Sequence, residues 1–134
     1  MLSVQVKKLD SQGLREVSFT VYGEPASKAN SRKLVTIKGK PAFIKSAKAL
    51  RYVTDFQTQC PKLQHLLEGD LSITVDVWYA TKRPDLDVSV ILDACQNLVY
   101  FNDRQCREQH LFWHLDRKNP RAEIVIRQII LDEN

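Results

Sequence analysis

Apolar residues alternate with polar ones in two clear stretches of the chain and recur at helical spacing in two others. Leu71, Ile73, Val75, Val77 and Tyr79 occupy every second position, with Ser72, Thr74, Asp76 and Trp78 between them. A period of two marks a strand with one buried face. Val17, Phe19 and Val21 alternate in the same way with Ser18, Thr20 and Tyr22. Together with Val4 and Val6, across the turn-prone Asp10-Ser11-Gln12-Gly13, they predict a first hairpin. A shorter hairpin is expected at residues 34–37 and 42–44, around Lys38-Gly39-Lys40. Ser46 suits the N-cap of a helix running to about Gln59, with Leu50, Val53 and Phe56 buried and Lys48 and Arg51 facing outwards. Val88, Ile91, Leu92, Cys95 and Val99 predict a second helix, interrupted at Phe101-Asn102-Asp103. Final strands are expected at residues 107–115 and 122–131, joined by a turn over Asp116-Arg117-Lys118-Asn119-Pro120. Strands interleaved with two helices imply one α/β (α+β) domain with a mixed sheet. It spans residues 1–134, with 1–16 as an N-terminal strand extension.

Composition narrows the class. The 134 residues are 43% hydrophobic, enough for a core. No apolar run approaches the roughly 18 residues of a membrane span, and MLSVQVKK lacks the apolar region of a secretory signal. Cys60, Cys95 and Cys106 form an odd, sparse set that argues against a disulfide framework. A cytoplasmic domain without membrane contact is expected. The formal charge of +4 conceals a strong asymmetry. Lys28, Arg32, Lys33, Lys38, Lys40, Lys45, Lys48 and Arg51 fall in one segment that contains no Asp or Glu, which leaves the remainder net acidic. Segregated positive charge points to a polyanion, above all nucleic acid. A merely solvated surface is the alternative.

Asp85-Leu86-Asp87 follows the clearest strand and precedes a helix, where sites form at the carboxyl ends of strands. On extended backbone the spacing of two puts both carboxylates on one side. Their repulsion would be relieved by a divalent cation, and Mg²⁺ takes one or two carboxylates together with waters and phosphates. Asp103, just past the helix, could return as a third acid. Helix capping explains a single Asp equally well.

Other candidates are weaker. Cys106, His110 and His114 recur every four residues, but on a strand they would spread over roughly 26 Å, too far for one ion. Asp93 lies about 240° round a helix from Asp87 and reads as a surface or salt-bridging acid. Asp76 could approach the site and ranks below the other acids. Trp78 and Trp113 are expected to pack on the sheet, and Cys95 to be buried.

The order and spacing of several motifs resemble those of RusA-type Holliday junction resolvases. Arg83-Pro84-Asp85-Leu86-Asp87, Leu92-Asp93-Ala94 and Val99-Tyr100-Phe101-Asn102-Asp103-Arg104-Gln105 are similar to that family's acidic signature. The loop at residues 23–32 and the strand at 120–126 are similar to flanking family segments, so the likeness covers residues 17–130. It implies an Mg²⁺-dependent endonuclease, with Mn²⁺ able to replace Mg²⁺, that resolves four-way junctions or other branched DNA in recombination and repair, working as a homodimer. By position Asp85, Asp87 and Asp103 would be the catalytic, metal-binding acids. Lys28, Arg32, Lys33, Lys45, Lys48 and Arg51, with Arg83 and Arg104 beside the acids, would contact DNA.

The sequence departs from the family pattern after Asp87. Val88-Ser89-Val90-Ile91 stands where the family has Asn and then a catalytic Lys, so Ser89 or Ile91 takes the lysine's place depending on alignment, and Asn102 replaces one acid. The alternative is a branched-DNA-binding relative that has lost catalysis. A third reading is an interaction protein whose acids only cap a helix.

Overall fold

The computed structural model describes residues 13–26 and 32–131 in full and the backbone of 5–8. Chain order is β1 (Gln5–Lys8), β2 (Arg15–Tyr22), β3 (Arg32–Ile37), β4 (Lys40–Lys45), α1 (Ala47–Gln59), β5 (Leu71–Tyr79), α2 (Ser89–Ala94), a single 3₁₀ turn (Asp103–Gln105), β6 (Cys106–Leu115) and β7 (Arg121–Gln128). Five strands form one mixed sheet in the order β1-β2-β7-β5-β6, and β3 and β4 pair separately. This is the expected single α+β domain. Residues 10–12, the turn of the first hairpin, and Lys28 lie outside the described residues.

Register assembles the core. Phe19 pairs with Ile124, Ile124 with Val75, and Val75 with Leu111, so one row of apolar side chains crosses β2, β7, β5 and β6. Val17, Ile126 and Ile73 make the next row. All of these except the half-buried Leu111 are essentially inaccessible. The helices cover this face, with Phe56 of α1 meeting Phe19 edge-on at 6.0 Å between ring centres. β6 runs parallel to β5. The chain must therefore cross over between them, and this crossover carries Asp85-Leu86-Asp87, α2 and Asp103.

Two expectations about helices are corrected. Ser46 caps α1, its hydroxyl accepting the Ala49 amide at 3.1 Å, but the buried stripe is Ala49, Tyr52 and Phe56, with Leu50 53% exposed. Phe56 is buried and Val53 half-buried against the core as expected, so only Leu50 is displaced; the buried positions keep the three- and four-residue spacing. α2 ends at Ala94 rather than near Val99. Asn97 adopts a left-handed backbone, φ 66°, which Asn tolerates better than most residues. The Asn97 amide then donates to the Tyr100 carbonyl. The chain turns back here, so Val99 and Tyr100 are buried by reversal instead of by helix.

The opposite face of the sheet holds Asp76. Its carboxylate lies 2.7 Å from His114 Nε2, and the His114 ring stacks on Trp78 at 4.4 Å with the Arg121 guanidinium over the same indole. Asp76 therefore stands apart from the crossover acids. Trp113 packs on the inner side against Tyr79. Cys60, Cys95 and Cys106 are free and buried. No helix among the described residues is long and apolar enough to cross a membrane.

The buried stripe has a measurable consequence. Phe56→Ala is expected to lower unfolding free energy by about 3–5 kcal/mol, whereas Leu50→Ala changes it by no more than about 0.5 kcal/mol. Urea denaturation checks both, and the Leu50 variant distinguishes the observed face from the expected one.

Candidate functional site

The carboxyl end of β5 is organised by the Tyr79 hydroxyl. It donates to the Asp85 carbonyl at 3.1 Å and accepts the Asp87 amide at 3.3 Å, so one phenol ties both ends of Asp85-Leu86-Asp87. The half-buried Leu86 packs against the core between the two acids. Glu24, from the exit of β2, accepts the Ala80 amide through Oε1 at 2.9 Å. Burial pushes the Tyr79 phenol above its ordinary value; the Asp87 amide opposes this, and the Asp87, Glu24 and Asp85 carboxylates add to it. Glu24 is an acid to which sequence reasoning gave no role, because it lies more than fifty residues from the others and only the β2–β7–β5 pairing brings it near.

Asp87 Oδ1 accepts the amide of Ser89, the first residue of α2, at 3.0 Å. Asp87 stands one residue before the N-cap, Val88, and its second carboxylate oxygen accepts no hydrogen bond from another described residue. The Asp85 and Asp103 carboxylates accept no hydrogen bond from another described residue. Asp103 follows Asn102, which caps the 3₁₀ turn in a reciprocal arrangement with Gln105.

Asp103 faces a cavity of about 350 Å³ between the β3–β4 ribbon and α2. Ser89, Val90, Asp93 and Asp103 line one wall, and Arg32, Phe43, Ile44 and Lys45 the other. Asp93 is a salt-bridging acid, as expected, and its partner is Lys45. The same pairing puts it in the cavity with Asp103. Gln96 joins the two acids, its Nε2 donating to Asp93 Oδ1 at 2.9 Å and its Oε1 accepting the Asp103 amide at 3.2 Å. The Lys45–Asp93 pair joins residues 48 apart and is not signalled by local sequence. Of the two residues that could replace a helix lysine, Ser89 lines the cavity and Ile91 is wholly buried.

The structure therefore places the acids in two adjoining groups: Asp85 and Asp87 with Glu24 around Tyr79, and Asp103 with Asp93 in the cavity. The Asp87–Ser89 hydrogen bond links the groups. Among the described residues no three His, Cys, Asp or Glu side chains are close enough to hold one ion. Asp85, Asp87 and Asp103 are thus not gathered into a single coordination group. Their chemistry fits a hard divalent cation, since all are carboxylates with oxygens that accept no hydrogen bond from another described residue. Shared coordination requires the Asp85–Asp87 segment and Asp103 to draw together.

The predicted DNA contacts Arg32, Lys33, Lys45, Lys48, Arg51, Arg83 and Arg104 are all exposed. Arg32 and Lys45 lie at the cavity. Lys48 and Arg51 line a second, shallower hollow near Glu24 and Tyr22.

Beneath the crossover the buried thiols and phenols resist ionisation. Burial pushes Cys106 up to about 11 and raises Cys95 and Tyr100 as well. The Tyr52 phenol is also raised by burial, and its hydroxyl has no hydrogen-bond partner among the described residues.

Two outcomes are expected. Tyr79→Phe, which removes both hydrogen bonds of the hydroxyl, should cost about 1–2 kcal/mol and increase amide hydrogen exchange at residues 85–88. The raised thiol and phenol values determine the alkaline limit of the fold. Below the ordinary thiol value of 9.0 the folded and unfolded chains hold the same protons at these groups; above it the unfolded chain loses protons that the folded chain retains. Stability is therefore expected to fall from about pH 9 towards pH 11, as read by denaturation midpoints across that range.

The chain matches no protein-family model, and no curated protein matches it; what the site can do follows from its own geometry and chemistry.

Proposed function

We propose that the protein is an Mg²⁺-dependent, structure-specific endodeoxyribonuclease of the RusA kind, acting on four-way junctions or other branched DNA as a homodimer. The observation that carries this reading is the cavity with Asp93 and Asp103 on one wall and Arg32 and Lys45 on the other, beside the Asp85–Asp87 loop. Acids alone would repel a phosphodiester. Cations on the facing wall offset that repulsion and hold the backbone against the acids. Asp85, Asp87 and Asp103 would hold the ion, which supplies Lewis-acid polarisation of the phosphate and a more acidic bound water.

The chain's own residues have distinct tasks. Tyr79 fixes the backbone that carries Asp85 and Asp87. Gln96 fixes Asp93 relative to Asp103. Lys45 sits in an ion pair it can exchange for a phosphate oxygen, since a half-exposed pair of this type holds together by no more than about 1 kcal/mol. A junction of near two-fold symmetry needs two nicks, which suits a two-fold pair of such sites.

One observation favours a second reading, a relative that binds branched DNA without cutting it: the three acids stand apart and Ser89 occupies the cavity wall where an ammonium is missing.

Incubation with a synthetic four-way junction and Mg²⁺ is expected to give paired nicks that a linear duplex of the same sequence does not receive. Asp85→Asn and Asp103→Asn should each reduce cutting by about 100-fold or more while junction binding persists. Lys45→Ala should weaken binding and lower the salt slope by about one. Tight junction binding by the wild type with no nicks in Mg²⁺ or Mn²⁺ would favour the second reading, and no preference for branched DNA would end both.

A further inference from the structure

The β3–β4 ribbon stands apart from the main sheet and buries little. Only Val35 and Ala42, a cross-strand pair on one face, are half-buried. A two-stranded ribbon with so little cover is marginal in water, yet this one carries large apolar side chains outwards. On its other face Arg32 pairs with Lys45 and Leu34 pairs with Phe43. Leu34 is 59% and Phe43 69% exposed. Like charges directly opposite one another disfavour a ribbon, and the charge of the Arg32–Lys45 pair is offset from the main domain through the Lys45–Asp93 ion pair. Phe43 and both cations line the cavity that Asp93 and Asp103 close from the other side. The ribbon thus overhangs the cavity with two cations at its base and an apolar pair one pleat farther out.

The geometry points to the ribbon as a wedge: Phe43, backed by Leu34, inserts where bases are unstacked at a DNA branch while Arg32 and Lys45 hold the adjoining phosphates over the cavity. This inference deepens the proposed function and rests on it. The spacing is suitable, because residues two apart on a strand lie roughly 7 Å from one another, close to one nucleotide step. A two-stranded ribbon fits a DNA groove, and apolar side chains are common wedges between base steps. Opening a stacked step costs a few kcal/mol, least where bases are already unpaired, so a wedge discriminates a branch from an intact duplex without reading sequence. Charge complementarity selects DNA over a protein occupant: the segment from residue 32 to 51 has seven Lys or Arg residues and no acid.

The test compares binding of a four-way junction and of a linear duplex, without divalent ions, by wild type, Phe43→Ala, Phe43→Trp and Leu50→Ala. Phe43→Ala is expected to reduce the junction-to-duplex affinity ratio about tenfold, the size of one lost base–aromatic stack, with its melting temperature unchanged. Phe43→Trp should restore the ratio. Leu50→Ala, which trims exposed apolar surface away from the ribbon, should leave it as in wild type. A 2-aminopurine at the branch point should change fluorescence with wild type and much less with Phe43→Ala. If wild type prefers junctions and Phe43→Ala keeps that preference, the wedge is wrong while the nuclease reading stands. Wild type without any preference for branched DNA overturns both. Loss of self-association by Phe43→Ala in sedimentation, with the DNA ratio intact, assigns the ribbon to a protein interface and overturns the wedge.

Discussion

β5 hydrogen-bonds to β6 along one edge and to β7 along the other, and Leu71, Ile73, Val75, Val77 and Tyr79 are all fully buried. With both edges paired and one face sealed, the strand has a single workable register, since a slip of one residue would bury Thr74, Asp76 and Trp78 instead. That constraint reaches the site. Tyr79 is the last buried residue of the run, and its position aims the hydroxyl at the backbone of Asp85 and Asp87. The acids are thus held by the same alternation that builds the core, and the parallel β5–β6 crossover decides which helix turn and which 3₁₀ turn lie beside them.

Charge in this fold is divided between layers. The main domain supplies the carboxylates, anchored through backbone and amide hydrogen bonds to buried structure. The ribbon supplies Arg32, Lys33, Lys38, Lys40 and Lys45 on strands that bury little. The arrangement separates two needs that conflict. Acids that share an ion must be fixed within a few tenths of an ångström, whereas cations that follow a bent or branched polyanion benefit from compliance. The Lys45–Asp93 pair is the one ion pair described between the two layers. Both side chains are about 40% exposed, and a pair of that kind holds together by no more than about 1 kcal/mol.

Most of the sheet was legible in the sequence, because a period of two has no competing interpretation once one face is buried. β2, β5 and the β3–β4 ribbon lie where alternation and the Lys38-Gly39 turn indicate, with both turn residues at positive φ. The helices were less legible for two separate reasons. In α1 the buried face includes Ala49 and Tyr52, a small residue and one with a polar tip, while the more apolar Leu50 points to solvent. After α2 the helical spacing of apolar residues continues through Val99, but Asn97 turns the chain and the same residues reach the core by reversal. Periodicity reports burial; it cannot report by which backbone route burial is achieved.

The site divides along the same line. Asp85, Asp87 and Asp103 are conspicuous locally, as a spaced pair after a strand and an acid after a helix. Glu24, Lys45 and Asp93 are not, since each acquires its neighbour through tertiary pairing: Glu24 through the sheet order, Lys45 and Asp93 through the folding of the ribbon over α2. The residues missed are those that position or balance the conspicuous ones. An acid pair separated from its third member, a cation borrowed from a distant ribbon and an amide that links the Asp93 carboxylate to the Asp103 backbone make up the proposed site. Were Asp85, Asp87 and Asp103 to share an ion as proposed, its charge would offset the repulsion that otherwise opposes bringing the three carboxylates together.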